Sequence, residues 1–519
     1  MKTTILIGEY SLRWHANLIR VCENAGFGVV AVKGGSERGS GKKFDGLNLV
    51  LAFEMLVYRV RECAIQNVYI DVCPENDADI IIDVSGDSRN GAHTLEGKIL
   101  LRPLYDGSPD PLVAVSALLD YRAPQISVEM WDSQGARIVA RGDIAIRDSR
   151  ILSNGLDHTF ARATTLLLRV LRELRSGVRL PSLTFDPIVR SLNSQYYFAA
   201  SALAGKISRF LSHLAKYPEH WRVAFRHLEG AGVLEELQWP QSSQSPWQVL
   251  PDDGRRFYAD PFVFVRDGQT HLFVEEFPYA TGKGIVSHCL ISANGKTSVP
   301  KPVLEAGGHL SYPFVFEHGG EVYMIPESGA ERQVALYRAR RFPDDWVLDC
   351  ILLDDIEAFD ATLVEYEGRF WIFAALAEGA ATYDTLGLFY SDSLRGPWHA
   401  HPRNPVLVDV RSARPAGSIV SHSGKLMRIV QDCLESYGWG MAICKIDTLD
   451  TENYQQSVLT RLRPPPCFQG TGTHTLNRCA GVEVIDFKQP MRRFSFGQMR
   501  ALAPNLSPDG SEVFQRYSP

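Results

Sequence analysis

The alternation of apolar and polar positions divides the chain into two parts with different periods. Up to about residue 180, short apolar runs alternate with stretches of helical period. Thr4-Ile5-Leu6-Ile7 and Gly28-Val29-Val30-Ala31-Val32 read as strands on either side of an amphipathic helix over 15–25, and Asp79-Ile80-Ile81-Ile82-Asp83-Val84 reads as a third strand. Such β-α-β alternation predicts a doubly wound, Rossmann-like α/β domain over 1–180, with right-handed crossovers. Two runs, 125–131 and 136–146, alternate as an antiparallel pair hinged at Ser133-Gln134-Gly135, and a helix follows over 158–174.

Pro181 and Pro187 open a linker over 181–219, which continues as an amphipathic helix carrying Tyr196, Phe198, Leu203, Ile207, Phe210, Leu211 and Leu214. Two readings of this helix stay open. It packs between domains, or it makes a peripheral contact with a membrane surface, for which it offers Lys206, Arg209 and Lys216.

From Trp239 onward the period changes to short alternating strands, turns and aromatics. Five segments resemble one another: Ala259-Asp260-Pro261-Phe262, Ser311-Tyr312-Pro313-Phe314, Phe359-Asp360-Ala361-Thr362, Arg414-Pro415-Ala416-Gly417 and Thr473-His474-Thr475-Leu476. Taking Asp260, Tyr312, Asp360, Arg414 and Thr473 as equivalent, the steps are 52, 48, 54 and 59 residues. That spacing suits one four-stranded blade, so 220–490 reads as an all-β, five-bladed propeller and 491–519 as an irregular tail. A blade cannot bury both faces alone and an open ring leaves edges unpaired, so the ring must close. Residues 221–225, or the strand beginning at Trp247, are expected to complete the last blade beside 482–487.

Composition excludes more than it selects. With 45% apolar and 22% charged residues the chain can pack ordinary cores, and a net charge of -6 without a basic face argues against a nucleic-acid partner. The opening residues lack the apolar core of a secretory signal, and no window of spanning length is uninterruptedly apolar, so no transmembrane segment is expected. Nine scattered cysteines form no CxxC pair, which points to reduced thiols, a cytoplasmic protein and no structural zinc.

In a propeller the inner strand of every blade lines the central channel, so the first polar residue of each repeat faces one funnel. Those residues are Asp260, Tyr312, Asp360, Arg414 and the Thr473-His474 pair. Asp260 and Asp360, from blades one and three, suit glycosidic bond chemistry, in which one carboxylate is base or nucleophile and another acid protonates the leaving oxygen. Glu327 is the candidate acid. Tyr258 and Tyr312, beside the inferred mouth, can stack on a sugar ring, with Arg414, Gln431 and His474 as further substrate contacts. The bland alternative is that Asp-Pro caps a turn and the axial polar groups meet only water.

Tyr258-Ala259-Asp260-Pro261-Phe262 resembles the first-blade motif of the arabinanase, levansucrase and invertase group of five-bladed glycosidases, whose aspartate there is base or nucleophile. Asp360 is similar to their second essential aspartate, and Gly472-Thr473-His474 to a fifth-blade histidine that sits by a central ion in some arabinanases. Those enzymes place a catalytic glutamate late in the ring, where this chain offers Gln431-Asp432 and then Glu435. The ordered set Ala259-Asp260-Pro261-Phe262, Ile325-Pro326-Glu327-Ser328, Phe359-Asp360-Ala361-Thr362, Arg414-Pro415-Ala416-Gly417, Gln431-Asp432 with Tyr437-Gly438, and Gly472-Thr473-His474-Thr475 resembles more closely the propeller domain of the glucosamine inositolphosphorylceramide transferase family, over about 220–485. In that family the propeller accompanies a separate transferase domain.

Residues 1–175 resemble a formyltransferase domain through the strand, helix, strand order, Asp83-Val84-Ser85-Gly86, Gly97-Lys98-Ile99-Leu100-Leu101-Arg102-Pro103 and the hairpin. That family's Asn, His and Asp fall on Leu100, Arg102 and Ser133, with Asp132 one place off, so the resemblance implies a catalytically degenerate domain. The Gly-rich stretch 34–41 lacks phosphate-cradling order. The expectation is a glycosyltransferase-like enzyme of surface polysaccharide or glycolipid biosynthesis, with a sugar or glycan substrate and a nucleotide-sugar donor. The alternatives are a five-bladed glycoside hydrolase using Asp260 and Asp360, and a non-catalytic glycan-binding scaffold.

Overall fold

A computed structural model of the chain describes residues 2–8, 11–33, 47–60, 62–72, 78–86, 98–184, 195–217, 219–239 and 246–492. The Gly-rich stretch and all but the first residues of the expected tail lie outside them. The N-terminal part is a mixed α/β sheet, with β1 (Lys2–Ile7), α1 (Arg13–Asn24), β2 (Gly28–Lys33), α2 (Asn48–Tyr58), β3 (Ile80–Asp83), β4 (Ile99–Tyr105), α3 (Pro111–Leu119), β5 (Gln125–Asp132), β6 (Gly135–Asp143) and α4 (Leu152–Arg175). Strand order is β2-β1-β3-β4-β5-β6, parallel through β4 and antiparallel beyond it. Ile5, Ile7, Ile80 and Ile82 share one face of the parallel strands and are buried in the core with residues of α1, α3 and α4.

Helix α4 is the hub of this domain. Leu156, Phe160, Ala163, Leu167 and Leu171 bury one face in the α/β core. Its N-terminal amides at Leu152 and Ser153 donate to the buried Glu54 carboxylate of α2 at 2.5 and 2.9 Å, which matches charge to the positive end of the helix. A further helix, α5 (Gln195–Ala215), packs on this domain. Tyr58 Oη donates to Ala202 O and Tyr121 stacks on Phe198, while Leu203, Ile207 and Leu211 face outward. No helix among the described residues is long and apolar enough to cross a membrane.

The C-terminal part is a five-bladed propeller. Blades one to three are antiparallel sheets that begin with the inner strands Arg256–Arg266, Ser311–His318 and Ala358–Tyr366, and blade four is built on Val420–His422 and Lys425–Asp432. Blade five combines Leu476–Cys479 and Val482–Lys488 with the upstream strands Trp221–His227 and Gln248–Val249. Both upstream strands offered by the sequence are therefore used, the first pairing along its whole length from Val482↔His227 to Lys488↔Trp221. Closure removes the two free edges that a linear array would expose.

Three inner strands carry the same irregularity. Asp260, Tyr312 and Asp360 have φ of 47°, 44° and 54°, and the register slips between Ala259/Phe262, Ser311/Phe314 and Phe359/Thr362. A bulge with a non-glycine residue in the left-handed region re-aims that side chain, at a strain of about 1 kcal/mol or more. The repeat in the sequence thus marks a repeated backbone distortion. The two domains are docked: Val410 N donates to Asp143 O at 2.8 Å, Val408 joins the α/β core, and a Cβ on Gly142 would meet Val408 Cγ1 at 2.7 Å.

Ile485 is fully buried in the closing strand, among Ala224, Leu476 and Phe487. Ile485→Ala is expected to destabilise the propeller by about 2–4 kcal/mol in urea unfolding followed by tryptophan fluorescence.

Candidate functional site

The three left-handed residues deliver their side chains to the propeller axis, where they meet polar groups from the other blades. Asp260 Oδ1 accepts from Thr475 Oγ1 at 2.7 Å and Oδ2 from the Tyr312 amide at 3.2 Å, while the Asp260 amide donates to Asp486 Oδ2 at 3.1 Å. The Tyr312 hydroxyl crosses the axis to Thr362 Oγ1 at 2.8 Å and accepts from the Gly417 amide at 2.8 Å. Asp360 is held by Arg414, Nε to Oδ2 at 2.5 Å and Nη2 to Oδ1 at 3.1 Å, and accepts from Gln431 Nε2 at 3.2 Å. Asn477 donates to Pro261 O and accepts from the Ser418 amide, both at 2.8 Å. Gly417 permits this crowding, since a Cβ there would meet Leu476 O at 2.1 Å. All five blades are joined by one circuit of hydrogen bonds.

A second ring comes from the neighbouring strand of each blade. Ala259 pairs with Glu275, Ser311 with Glu327 and Phe359 with Ala375, while Gln431 N donates to Arg414 O and Asp486 N to Thr475 O. The register makes Thr475, not Thr473, the fifth inner position. The sequence reading held Glu327 and Gln431 but missed Glu275 and Asp486, which the equivalent strands Phe273-Val274-Glu275 and Val484-Ile485-Asp486 offered. His474 lies beside Asp486 of this ring. It lies between Trp221, stacked at 4.0 Å, and Tyr437, edge-on at 5.4 Å, with Nδ1 2.5 Å from Asp486 Oδ2.

The electrostatics follow from burial. Asp260, Asp360, Arg414, Gln431, His474 and Asp486 are all buried. Desolvation pushes the Asp260 carboxyl up to about 7, against the pull of His474 and with repulsion from Glu275, Asp360 and Asp486 adding to it. Burial disfavours the His474 imidazolium, but Asp486 and Asp260 more than offset this and raise it to about 9. Burial and Asp360 likewise raise the Glu327 carboxyl, which accepts from Ser311 Oγ and the Gly329 amide at 2.7 Å each.

The resemblance-based expectation of an ion beside His474 can be tested on the donor set. Asp260, His474 and Asp486 bring ligand atoms within 4.8 Å of one another. Yet Asp486 Oδ1 accepts from the His474 and Thr475 amides, and Oδ2 from the Asp260 amide and from His474 Nδ1. His474 Nδ1 and the Asp486 oxygens are thus engaged with one another and with backbone amides, which leaves Nε2 as the ring nitrogen that would face a cation.

Two aromatic expectations need correction. Tyr258 is buried between blades five and one, with Val223, Phe225 and Leu250, because it lies before the bulge that turns Asp260 to the axis. Tyr312 is wholly buried as the crossing strut of the funnel floor and offers no face for a sugar. Asp432 is bound by Arg411, Arg461 and Arg463 in blade four, and neighbouring Glu435 is exposed. In the α/β domain, Arg102 is fixed by the buried Asp83 at 2.8 Å, while Asp132 pairs with Arg137 across the hairpin turn.

Residues 251–465 match the family model described as glucosamine inositolphosphorylceramide transferase 1, N-terminal. The glucosamine inositolphosphorylceramide transferase 1 of Oryza sativa subsp. japonica is 34% identical over 237 residues, covering 44% of this chain and 32% of the relative. That of Arabidopsis thaliana is 37% identical over 205 residues, covering 38% of this chain and 27% of the relative. The chain thus spans about a third of the length of these relatives. Among solved structures, a family 117 glycoside hydrolase of Zobellia galactanivorans aligns with 10% identity and a TM-score of 0.34, over 52% of this chain and 91% of that one. An exo-1,5-alpha-L-arabinanase from a bovine ruminal metagenomic library aligns with 13% identity and a TM-score of 0.32, over 47% of this chain and 100% of that one. The propeller assignment itself rests on the sheet topology described above.

Because the native state raises His474 from the ordinary 6.5 to about 9, it binds more protons than the unfolded chain across that window. Its contribution to stability is complete below about 6.5 and lost as pH rises through about 9. The unfolding midpoint should fall between pH 6.5 and 9, and His474→Gln should flatten that slope when both proteins are melted across the range.

Proposed function

We propose that the chain is a carbohydrate-active, glycosyltransferase-like protein of glycolipid biosynthesis whose propeller funnel receives the sugar-bearing head group. The observation that carries this reading is the convergence of Asp260, Asp360, Glu327, Arg414 and His474 around one axis, the first four within the segment that matches the transferase family model. Asp260, with its carboxyl pushed up to about 7, is suited to hold and pass a proton near neutrality. Asp360, paired with the Arg414 guanidinium, is placed to support positive charge developing on a sugar ring. Glu327, whose carboxyl burial also raises, is the second acid. A nucleotide-sugar is the donor class consistent with transfer.

A glycan-binding scaffold is the second reading, and one observation favours it: both oxygens of Asp260 and of Asp360 are already occupied by donors from neighbouring blades. Hydrolysis has less support, because the glutamate that such enzymes carry late in the ring has no counterpart at Asp432, which is bound by arginines, or at Glu435, which is exposed. For the α/β domain we propose a degenerate formyltransferase-like unit. Arg102, locked to Asp83, and the exposed Ser133 cannot supply that family's proton transfer.

Incubation of the full chain with a nucleotide-linked glucosamine donor and inositolphosphorylceramide, read by mass spectrometry, should yield a glycosylated lipid. Asp260→Asn should lower the rate by about 100-fold or more. Head-group binding by calorimetry that survives both Asp260→Asn and Asp360→Asn, without turnover, would replace the transferase reading with the scaffold.

A further inference from the structure

The mouth of the funnel at blade three is formed by loop 377–384, and that loop is held by the other domain. Arg162, on the propeller-facing side of α4, is wholly buried, as is Asp384. Its Nε and Nη2 donate to Asp384 Oδ1 at 3.0 and 2.6 Å, and Nη2 also donates to Ala377 O at 2.9 Å and Ala381 O at 2.7 Å. The second oxygen of Asp384 accepts from Ala145 N at 2.9 Å, again from the α/β domain. One guanidinium thus grips the start, the middle and the end of the loop.

Thr382 lies between the gripped Ala381 and Asp384, and it points into the funnel. Arg414 Nη1 donates to Thr382 Oγ1 at 3.1 Å and lies 3.3 Å from Thr382 O, while its remaining nitrogens hold Asp360. The apolar side of the same junction is continuous: Ala145 packs with Ala381, Tyr383, Val410 and Cys433, and Tyr437 completes the cluster beneath the Arg414 guanidinium. Arg414 is long and flexible, so three fixed acceptors are what define its position.

We infer that Arg162 is a positioning residue of the funnel: through the 377–384 loop, the α/β domain sets the Arg414 guanidinium and with it the Asp360 carboxylate. The α/β domain is then a wall of the site, and the propeller alone holds an incomplete one. The turnover arm of the test below rests on the proposed transferase reading, whereas the exchange arm needs no ligand.

Hydrogen–deuterium exchange of the full chain, read by mass spectrometry, compares wild type with R162K, T382V and R172M. R162K keeps a cation beside Asp384, so the variant folds, but one ammonium cannot span the carboxylate and two carbonyls. R172M removes a separate interface contact, to Asn404 O at 3.0 Å, and is the control. R162K is expected to speed exchange about fivefold in peptides carrying 358–362 and 412–417, T382V to do so in 412–417, and R172M to leave both unchanged. With the transferase assay, R162K should lower kcat/KM about tenfold at a temperature below its own unfolding midpoint. Unchanged exchange at 358–362 and 412–417 in R162K, or equal acceleration in R172M, would overturn the inference. Altered exchange in R162K alongside an inactive wild type upholds it and counts against the transferase reading instead.

Discussion

The structure depends on one constraint: polar groups brought to the propeller axis are out of water and must be bonded by each other. An unpartnered carboxylate or amide in that position would cost several kcal/mol, so the five inner strands cannot be placed independently. Thr475 reaches Asp260, the Tyr312 amide reaches Asp260, the Tyr312 hydroxyl reaches blades three and four, Arg414 reaches Asp360, and Asn477 reaches both neighbours. This mutual dependence explains why three non-glycine residues tolerate a left-handed backbone. The distortion costs little beside the buried hydrogen bonds it makes possible.

The same closeness gives the funnel its chemical character. Asp260, Asp360, Glu275, Glu327 and Asp486 crowd five carboxyl groups around Arg414 and His474, so repulsion and burial hold some protons on at neutral pH while direct pairing keeps other groups charged. Titrating groups with separated affinities in one enclosed volume are what proton-transfer chemistry uses, and they are also what a rigid, fully bonded core contains. The difference lies in whether an incoming ligand can exchange for the internal donors.

Much of this was legible in the sequence, for identifiable reasons. The repeat was found because Asp260, Tyr312 and Asp360 recur with their flanking apolar residues, and the bulge that makes them recur also makes them axial. The closing strand was legible as one of two candidates, 221–225 or the strand beginning at Trp247, and the ring uses both. The fifth equivalence slipped from Thr475 to Thr473, since two steps along a strand return to the same face and a lone segment does not fix the register. The second ring was legible only at Glu327 and Gln431, because its members, Glu275, Glu327, Ala375, Gln431 and Asp486, share a position but not a chemical type. Tyr258 was misplaced because a bulge changes the facing of residues on either side of it, which strict alternation cannot anticipate. The docking of α4 on blade three was invisible, as Arg162 and Asp384 stand more than two hundred positions apart and carry no local signature.

The sharing of blade five between upstream and downstream strands has a consequence for how the molecule is made. A chain emerging from the ribosome has its α/β domain available early, and Trp221–His227 must then wait until Val482–Lys488 has been translated. At roughly ten residues per second that interval is tens of seconds, during which a growing row of blades has an unsealed rim at each end. With its own Arg162 anchoring the middle of the row, the domain already folded can act as a jig, steadying blade three while the two ends of the circle find one another.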